Sequence, residues 1–198
     1  MITRHQIVSG LTELTSHNIE VLKKLVRLCF PITYNNEFYE KCHLHYTELS
    51  RYVTVKDIPV GAIVCRLEKE EDSDVLYVHI MILLVFEKYR RGGLAQKMMK
   101  FLYDKVSKAS FAIEYLDLHV QKVNTAAVQF YTREGFEIIE DLPGYYDLEQ
   151  GDALHMRKKV VRDPSAPIAI TPPISGFTLS KNKKNKSKVH DKEDTKSK

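Results

Sequence analysis

The feature that most constrains the fold of this chain is an apolar strand that runs into a glycine-rich turn and then into a helix. Residues 75–86 form an apolar run of strand length, and residues 94–106 place apolar side chains at helical spacing. The turn between them has the sequence YRRGGLA, residues 89–95. The first N–H groups of a helix have no partner inside it and carry partial positive charge, and glycine lets a ligand come close to the backbone. With Arg90 and Arg91 beside it, this turn predicts a site for a phosphorylated ligand.

Strands and helices are interleaved along the rest of the chain. Ser16 is the predicted N-cap of the first helix, Gly135 ends the last one, and residues 68–74 form an acidic loop. This pattern predicts an α/β fold in which helices cover a mixed sheet. The predicted strands are 6–14, 49–55, 60–67, 75–86, 113–120, 136–140 and 153–160, and the predicted helices are 16–29, 36–46, 94–106 and 124–134.

Composition limits the class of protein. The three cysteines form no C-x-x-C pair, which argues against a disulfide framework and favours a reducing compartment. The first residues lack an apolar signal region, and the longest apolar run is shorter than the roughly 18–20 residues that span a bilayer. We therefore expect a cytoplasmic protein without a membrane partner.

The composition changes after about residue 160. Proline-rich and then lysine-rich sequence follows, which cannot bury enough apolar surface to order itself. We predict one domain over residues 1–160 and a disordered tail over residues 161–198. The tail is either a solvated extension or a basic patch for nuclear import or for binding an acidic surface, so a nuclear location is a second expectation. Basic and aromatic residues do not interleave as they do in nucleic-acid-binding surfaces, and no direct nucleic-acid partner is expected.

Two segments together resemble a known superfamily. Arg90-x-x-Gly93-x-Ala95 resembles the acetyl-CoA motif of the GNAT N-acetyltransferases, and N-x-x-A-x-x-F-Y (residues 124–131), followed by Gly135-Phe136, resembles a second segment of that superfamily. The resemblance implies the GNAT fold, with a mixed, mostly antiparallel sheet, and acetyl-CoA as co-substrate. It implies that the cofactor contacts Leu83, Val85, Arg90, Arg91, Gly92, Gly93, Leu94, Ala95, Asn124 and Tyr131. A backbone N–H near Leu83 would support the developing oxyanion, and Tyr131 would serve the departing thiolate.

A finer match is to the NatE catalytic-subunit (San-type) branch of N-terminal acetyltransferases. It is carried by FPITYN (30–35), FY (38–39), LHVQ (118–121), FEIIE (136–140) and YY (145–146), in order and at compatible spacing. The resemblance implies a peptide pocket whose aromatic, Pro and Ile side chains accept an apolar first side chain. Its implied residues are Phe30, Pro31, Ile32, Tyr34, Met81, Tyr145 and Tyr146.

His119 is the predicted general base. Period-two alternation places Leu116, Leu118 and Val120 on one face of their strand and Asp117 and His119 on the other. An α-amine, with a pKa near ~7.7–8.0, must lose a proton before or during attack on a thioester, and histidine suits that task.

One position departs from the NatE branch. The branch carries a tyrosine ten positions before the one that opens the Tyr-Arg-Arg segment, and here that position is His79. Tyr77 lies on the same predicted strand face as His79 and Met81. Three outcomes remain open: His79 orders the catalytic water, a local shift brings Tyr77 into that role, or the activity is weakened.

The expected function is acetyl transfer from acetyl-CoA to the N-terminal α-amine of proteins that begin with Met and an apolar residue. The expected partners are protein N-terminal peptides and a larger NatA-type complex at the ribosome. Two alternatives remain: a lysine acetyltransferase, or a weakly active paralogue that docks on an N-terminal acetyltransferase complex. No metal is expected, because Cys42-His43-x-His45 has no second ligand cluster.

Overall fold

A computed structural model describes residues 8–30, 34–71, 73–146 and 151–166 of the 198-residue chain. Within these residues the chain forms seven strands and four helices, close to the elements predicted from periodicity. The strands are β1 (Ser9–Glu13), β2 (Arg51–Val55), β3 (Ile58–Lys69), β4 (Leu76–Val85), β5 (Tyr115–Gln121), β6 (Glu137–Leu142) and β7 (Ala153–Lys159). The helices are α1 (Ile19–Cys29), α2 (Asn36–Leu44), α3 (Leu94–Ser107) and α4 (Thr125–Arg133).

The strands form one sheet in the order β1-β2-β3-β4-β5-β7-β6. Neighbours are antiparallel except β4 and β5, which are parallel and are joined through α3. The β2–β3 hairpin turns at Lys56 and Asp57, whose φ values of 50° and 63° match the two-residue turn that suits the twist of a hairpin. The predicted mixed, mostly antiparallel sheet is thus confirmed.

Each face of the sheet has its own hydrophobic core. α3 and α4 cover one face, where Met98 and Leu102 pack on Leu116 and Leu118 of β5. α1 and α2 cover part of the opposite face, and their core includes Leu22, Val26, Cys42, Tyr52 and Ile82. α1 and α2 do not cover this face of the sheet completely. Polar side chains occupy the uncovered part and form the site described below.

A β-bulge at Met81 changes the alternation of β4. Val64 of β3 pairs with Ile82, whereas Cys65 pairs with Ile80, so β4 contains one extra residue between them. Ile80 packs in the α3-side core, and both Met81 and Ile82 pack against the α1-side core. A bulge of this kind bends its strand and increases the local twist.

Two local predictions are wrong. Ser16 does not cap α1: the N-cap position is Asn18, whose side-chain oxygen accepts from the N–H of Thr15 in the preceding turn. The acidic loop starts later than predicted, because β3 continues through Lys69 and buries Glu68, which pairs with Arg66 and accepts a hydrogen bond from Tyr77. Periodicity could not reveal a buried carboxylate whose partners come from the same and the neighbouring strand.

Candidate active site

The centre of the sheet is split. β4 and β5 pair only through residues 77–79 and 115–117, although both strands are described over their full length and continue beyond this point. His79 and Asp117 are the last pair. From there the bulged β4 and β5 separate, and the sheet opens into a gap that a thin, extended ligand can enter.

The Arg/Gly turn lies at the open end of this gap. A 3₁₀ turn (Glu87–Tyr89) follows β4, and α3 begins at Leu94 after Gly93, whose φ of 77° is left-handed. A Cβ built on Gly93 would meet no atom within 4 Å, so space for a ligand lies against this backbone. The Arg90 side chain donates from Nε to the carbonyl of Val85, at 2.9 Å, and is thereby fixed at the strand end.

The turn and the start of α3 line a cleft of about 460 Å³. The cleft brings together six of the residues predicted to bind the cofactor, namely Val85, Arg90, Arg91, Gly93, Leu94 and Ala95. It also includes Tyr89 and Phe130, which belong to the two motifs but were not among the predicted cofactor residues, and Gln96, Arg133 and Glu134, which lie outside both motifs. Arg90 and Arg91 precede the N-terminus of α3, and Arg133 adds a third positive charge from the end of α4, an arrangement that suits a pyrophosphate or phosphate group. The residues present therefore fit the acidic portion of CoA.

The remaining predicted cofactor residues have structural roles in the described part of the chain. Asn124 caps α4, since its side-chain oxygen accepts from the N–H of Ala127 at 3.2 Å. Tyr131 is buried, and its ring packs edge-on against Phe130 and Phe136. Burial raises the pKa of Tyr131, so its hydroxyl stays protonated and remains a donor. Contacts of these residues and of Leu83 and Gly92 with a cofactor remain predictions.

A polar row crosses the other face of the sheet beside the gap. Residues that pair directly across neighbouring strands share a face. Arg66 of β3 pairs with His79 of β4 and Glu68 with Tyr77, while Tyr115 and Asp117 of β5 pair with Tyr77 and His79. β7 adds two further residues, His155 opposite His119 and Arg157 opposite Asp117.

His119 lies in the middle of this row. Its ring stacks on His155 and on Tyr145, with centroids 4.6 Å away in both cases, and the ring of His79 is 5.4 Å away. Burial, and then the charges of His79 and His155, lower the pKa of His119 to about 4. His119 is therefore neutral at physiological pH and keeps a free lone pair.

Asp117 connects the other two histidines. Oδ1 of Asp117 is 2.7 Å from Nδ1 of His79, and Oδ2 is 2.9 Å from Nε2 of His155. Burial alone would raise the pKa of Asp117, but the hydrogen bonds from His155 and His79 and their charges hold it well below its usual value. The motifs missed both Asp117 and His155. Strand alternation predicted that Asp117 shares a face with His119. No local sequence pattern indicates His155, which lies near Asp117 because β7 pairs with β5.

Of the two residues considered as partners of His119, the structure places His79 beside it. Tyr77 shares the face, but its hydroxyl donates to Glu68 at 2.5 Å, and its ring stacks on Tyr115 at 4.9 Å. Burial, followed by the hydrogen bond to Glu68 and its charge, raises the pKa of Tyr77 well above its ordinary value. Tyr77 is thus engaged with β3.

Two of the predicted peptide-pocket residues contact His119. Tyr145 stacks on its ring with planes 17° apart, and the Tyr146 hydroxyl donates to its backbone carbonyl at 3.4 Å. Tyr34 stacks on Phe38, with ring centroids 4.2 Å apart. Burial, foremost, raises the pKa of Tyr34 to about 12. Phe30 and Met81 pack at the edge of the same core, and Pro31 and Ile32 lie outside the described residues.

The described residues contain no group of three or more His, Cys, Asp or Glu that could hold a metal ion. In the same part of the chain, none of the helices combines the length and the apolar character needed to cross a bilayer.

A split sheet with an anion-binding turn at one end and a polar row at the other defines an acetyltransferase of the GNAT class. A model of the acetyltransferase (GNAT) family matches residues 19–136, and the chain belongs to this family. The chain is 39% identical over 160 residues to N-alpha-acetyltransferase 50 of Danio rerio, which covers 80% of this chain and 92% of that protein. It is 37% identical over 162 residues to the probable N-acetyltransferase san of Drosophila melanogaster, covering 81% and 84% of the two chains.

A solved structure agrees with these relatives. Arabidopsis thaliana Naa50 in complex with the bisubstrate analogue CoA-Ac-MVNAL superposes with a TM-score of 0.68 at 34% identity, covering 76% of this chain and 97% of that one. These matches confirm the GNAT fold and the branch inferred from the sequence.

Proposed function

We propose that this protein transfers the acetyl group of acetyl-CoA to the N-terminal α-amine of polypeptide chains. The observation that carries the proposal is the gap between β4 and β5, which has the Arg/Gly turn at one end and the histidine row at its apex. A CoA thioester bound along this gap would present its carbonyl carbon beside His79 and His119. The similarity to N-alpha-acetyltransferase 50 and to the Naa50 complex supports the same reaction.

The chain's own residues supply the chemistry as follows. The α-amine attacks the thioester carbonyl carbon, and its proton passes to the histidines, directly or through one water. A backbone N–H near Leu83 supports the oxyanion, and Tyr131 hydrogen-bonds the departing thiolate. His119 suits a role near an uncharged amine, because its depressed pKa keeps it from adding positive charge.

The substrate class is a peptide that begins with Met followed by an apolar residue. The residues that would line the peptide pocket are apolar or aromatic: Tyr145 and Tyr146 contact His119, and Phe30, Tyr34 and Met81 pack against the α1-side core. Such a lining binds apolar side chains, while the tyrosine hydroxyls are donors for the peptide backbone. The analogue bound by the Arabidopsis relative carries the peptide Met-Val-Asn-Ala-Leu.

The test is acetylation of two matched peptides by the full chain. One is Met-Val-Asn-Ala-Leu with a free N-terminus and one added lysine, and the other is the same peptide with a blocked N-terminus. We expect release of free CoA, and a 42-dalton mass increase on the α-amine, with the first peptide only. Acetylation of both peptides would favour the lysine acetyltransferase, and turnover of neither would favour the docking module.

Location, partners and domain limits complete the proposal. The protein is cytoplasmic, and also nuclear if the lysine-rich segment acts as an import patch, and it associates with a NatA-type complex at the ribosome. The catalytic domain is residues 1–160, and the segment 161–198 extends from it; residues 167–198 lie outside the described part. Support for the location comes from the cysteines, the first residues and the composition of the tail, and support for the complex comes from the resemblance to the NatE branch. Ribosome co-sedimentation and imaging of the full chain, compared with a chain ending at residue 166, test these points.

A further inference from the structure

The bridge formed by Asp117 fixes the protonation pattern of the row. A carboxylate can only accept hydrogen bonds, so the histidine nitrogens that face Asp117 must carry protons. The Nδ1 atom of His79 faces Oδ1 at 2.7 Å and is therefore the donor. In the neutral ring the other nitrogen, Nε2, then holds the lone pair. His155 donates to Oδ2 from Nε2, at 2.9 Å.

The position of this bridge relates it to the reaction. His79 and Asp117 are the last paired residues before the strands separate. The Asp117 side chain is 6% exposed and that of His79 is 16% exposed, so the anion is buried and is held against a ring that is more exposed than itself. A buried anion behind a histidine favours the imidazolium that forms when the ring accepts a proton, because Coulomb energy is large where water is excluded.

We propose that Asp117 is a positioning residue that makes His79 the proton acceptor, by holding Nδ1–H and leaving the Nε2 lone pair for the substrate amine or its water. This inference rests on the proposed function. As the amine nitrogen bonds to the thioester carbonyl carbon, one amine proton moves to Nε2 of His79. The carbon–sulfur bond then breaks, the sulfur leaves with the electron pair, and the proton on His79 is returned to the thiolate or to solvent.

His155 completes the support of Asp117. It occupies the second carboxylate oxygen, so the carboxylate cannot rotate away from His79. On its other side, Nδ1 of His155 lies 4.0 Å from the exposed Glu140 carboxylate. The other titratable groups on this face are Arg66, Glu68, Tyr77, Tyr115, His119 and Arg157. Of these, Glu68 is engaged by Tyr77, and Arg157 lies over the ring of Tyr115.

The first test needs no substitution in the measured protein. Two-bond ¹H–¹⁵N correlation spectra of the ¹⁵N-histidine-labelled full chain at pH 8 report which ring nitrogen is protonated, and the spectrum of His79→Phe assigns the His79 signals. We expect His79 to be protonated on Nδ1 alone. Protonation on Nε2 would overturn the proposal, whatever the activity.

The second test is a double-mutant cycle with the peptide Met-Val-Asn-Ala-Leu and acetyl-CoA. Asp117→Asn is close in shape but removes the anion, and we expect kcat to fall about 10²-fold with the KM for acetyl-CoA nearly unchanged. In a His79→Phe background the same change should have little further effect, because Asp117 acts through His79. The acidic limb of the kcat/KM profile should also shift to lower pH. Asp141→Asn, an exposed aspartate paired with Lys122, is the matched control and should retain wild-type kinetics.

The outcomes separate the inference from the function on which it rests. If the wild-type chain acetylates no free N-terminus, the proposed function fails, whereas the spectra still report the tautomer. The positioning role is wrong if the wild type is active and Asp117→Asn keeps the wild-type kcat. It is also wrong if Asp117→Asn lowers kcat by the same factor in the wild-type and His79→Phe backgrounds. CoA binding by calorimetry shows that each variant is folded, and if Asp117→Asn fails this check the tautomer measurement decides alone.

Discussion

His119 and Tyr145 stack face to face, with ring centroids 4.6 Å apart and planes 17° from parallel. Tyr145 is 42% exposed, so an aromatic ring on a surface loop covers the central histidine of the row. Because Tyr145 covers one side of His119, access of water to this side of the histidine depends on the same ring.

We expect Tyr145→Phe to keep the stack and Tyr145→Ala to lose it. Tyr145→Ala should raise the KM for the Met-Val-Asn-Ala-Leu peptide about tenfold, since stacked aromatic pairs contribute roughly 0.5–1.5 kcal/mol beyond their buried area. Steady-state kinetics of the two variants measure this. An equal KM in both would show that the ring makes no contribution to peptide binding.

Gly93→Asp should abolish CoA binding in a folded protein. The new carboxylate would stand at the N-cap of α3, where it suits the helix dipole but repels a pyrophosphate. Gly93→Ala is the control, because it introduces the same left-handed strain without charge, and the space around Gly93 admits a Cβ. Calorimetry with CoA decides, and wild-type affinity in Gly93→Asp would refute the assignment of this turn.

Phe30→Ala should weaken peptide binding and leave CoA binding intact. Phe30 packs at the edge of the α1-side core, beside Tyr34 and Phe38, and not in the cleft of the Arg/Gly turn. We expect the KM for the peptide to rise about tenfold or more, as expected for the loss of a buried aromatic contact. Leu28→Ala, an exposed site on the same helix, serves as the control. Unchanged peptide kinetics in Phe30→Ala would show that Phe30 does not line the peptide pocket.

Substitution of His119 and His79 should lower kcat more than it changes the KM for acetyl-CoA. His119→Ala should lower kcat by about 10²-fold, the lower end for a proton-transfer group, because its low pKa limits its own basicity. His79→Phe should reduce kcat, whereas His79→Tyr should retain more activity, since a phenol hydroxyl can still order a water. Equal activity of His79→Phe and His79→Tyr would show that the side chain at position 79 takes no part in removing the proton from the substrate amine.

Stability should fall on acidification partly because of His119. Its pKa is about 4 in the folded protein and near 6.5 when unfolded, so the unfolded chain binds this proton first. The contribution is fully present above pH 6.5 and is lost as the pH falls toward 4. Urea unfolding at pH 7.0 and 4.5 should therefore show a loss larger in the wild type than in His119→Gln, by about 2 kcal/mol. The same loss in both proteins would mean that His119 is not held neutral by the fold.

The sequence was sufficient for the elements whose evidence is local. The apolar period found β4, α3 and β5, the turn chemistry found the β2–β3 hairpin, and the motifs found six residues of the Arg/Gly cleft. Strand alternation also placed Asp117 and His119 on one face.

Features that depend on strand pairing could not be predicted. His155 reaches Asp117 because β7 lies beside β5, and Glu68 is buried because Tyr77 pairs with it across β3 and β4. The extra residue at Met81 likewise becomes visible only when two strands are laid in register. Such pairings join residues far apart in the chain, and periodicity within one strand carries no information about them.

The bulge at Met81 lies two residues beyond the last pair of β4 and β5, so the opening of the sheet coincides with one extra residue in β4. Because Met81 is the extra residue, a β4 without it would keep Ile80, Ile82 and Leu83 on their present faces and would lose the Met81 contact with the α1-side core. The strand would also straighten, and more of it would pair with β5. We therefore expect a β4 that is one residue shorter to form a more continuous sheet with less room for a ligand.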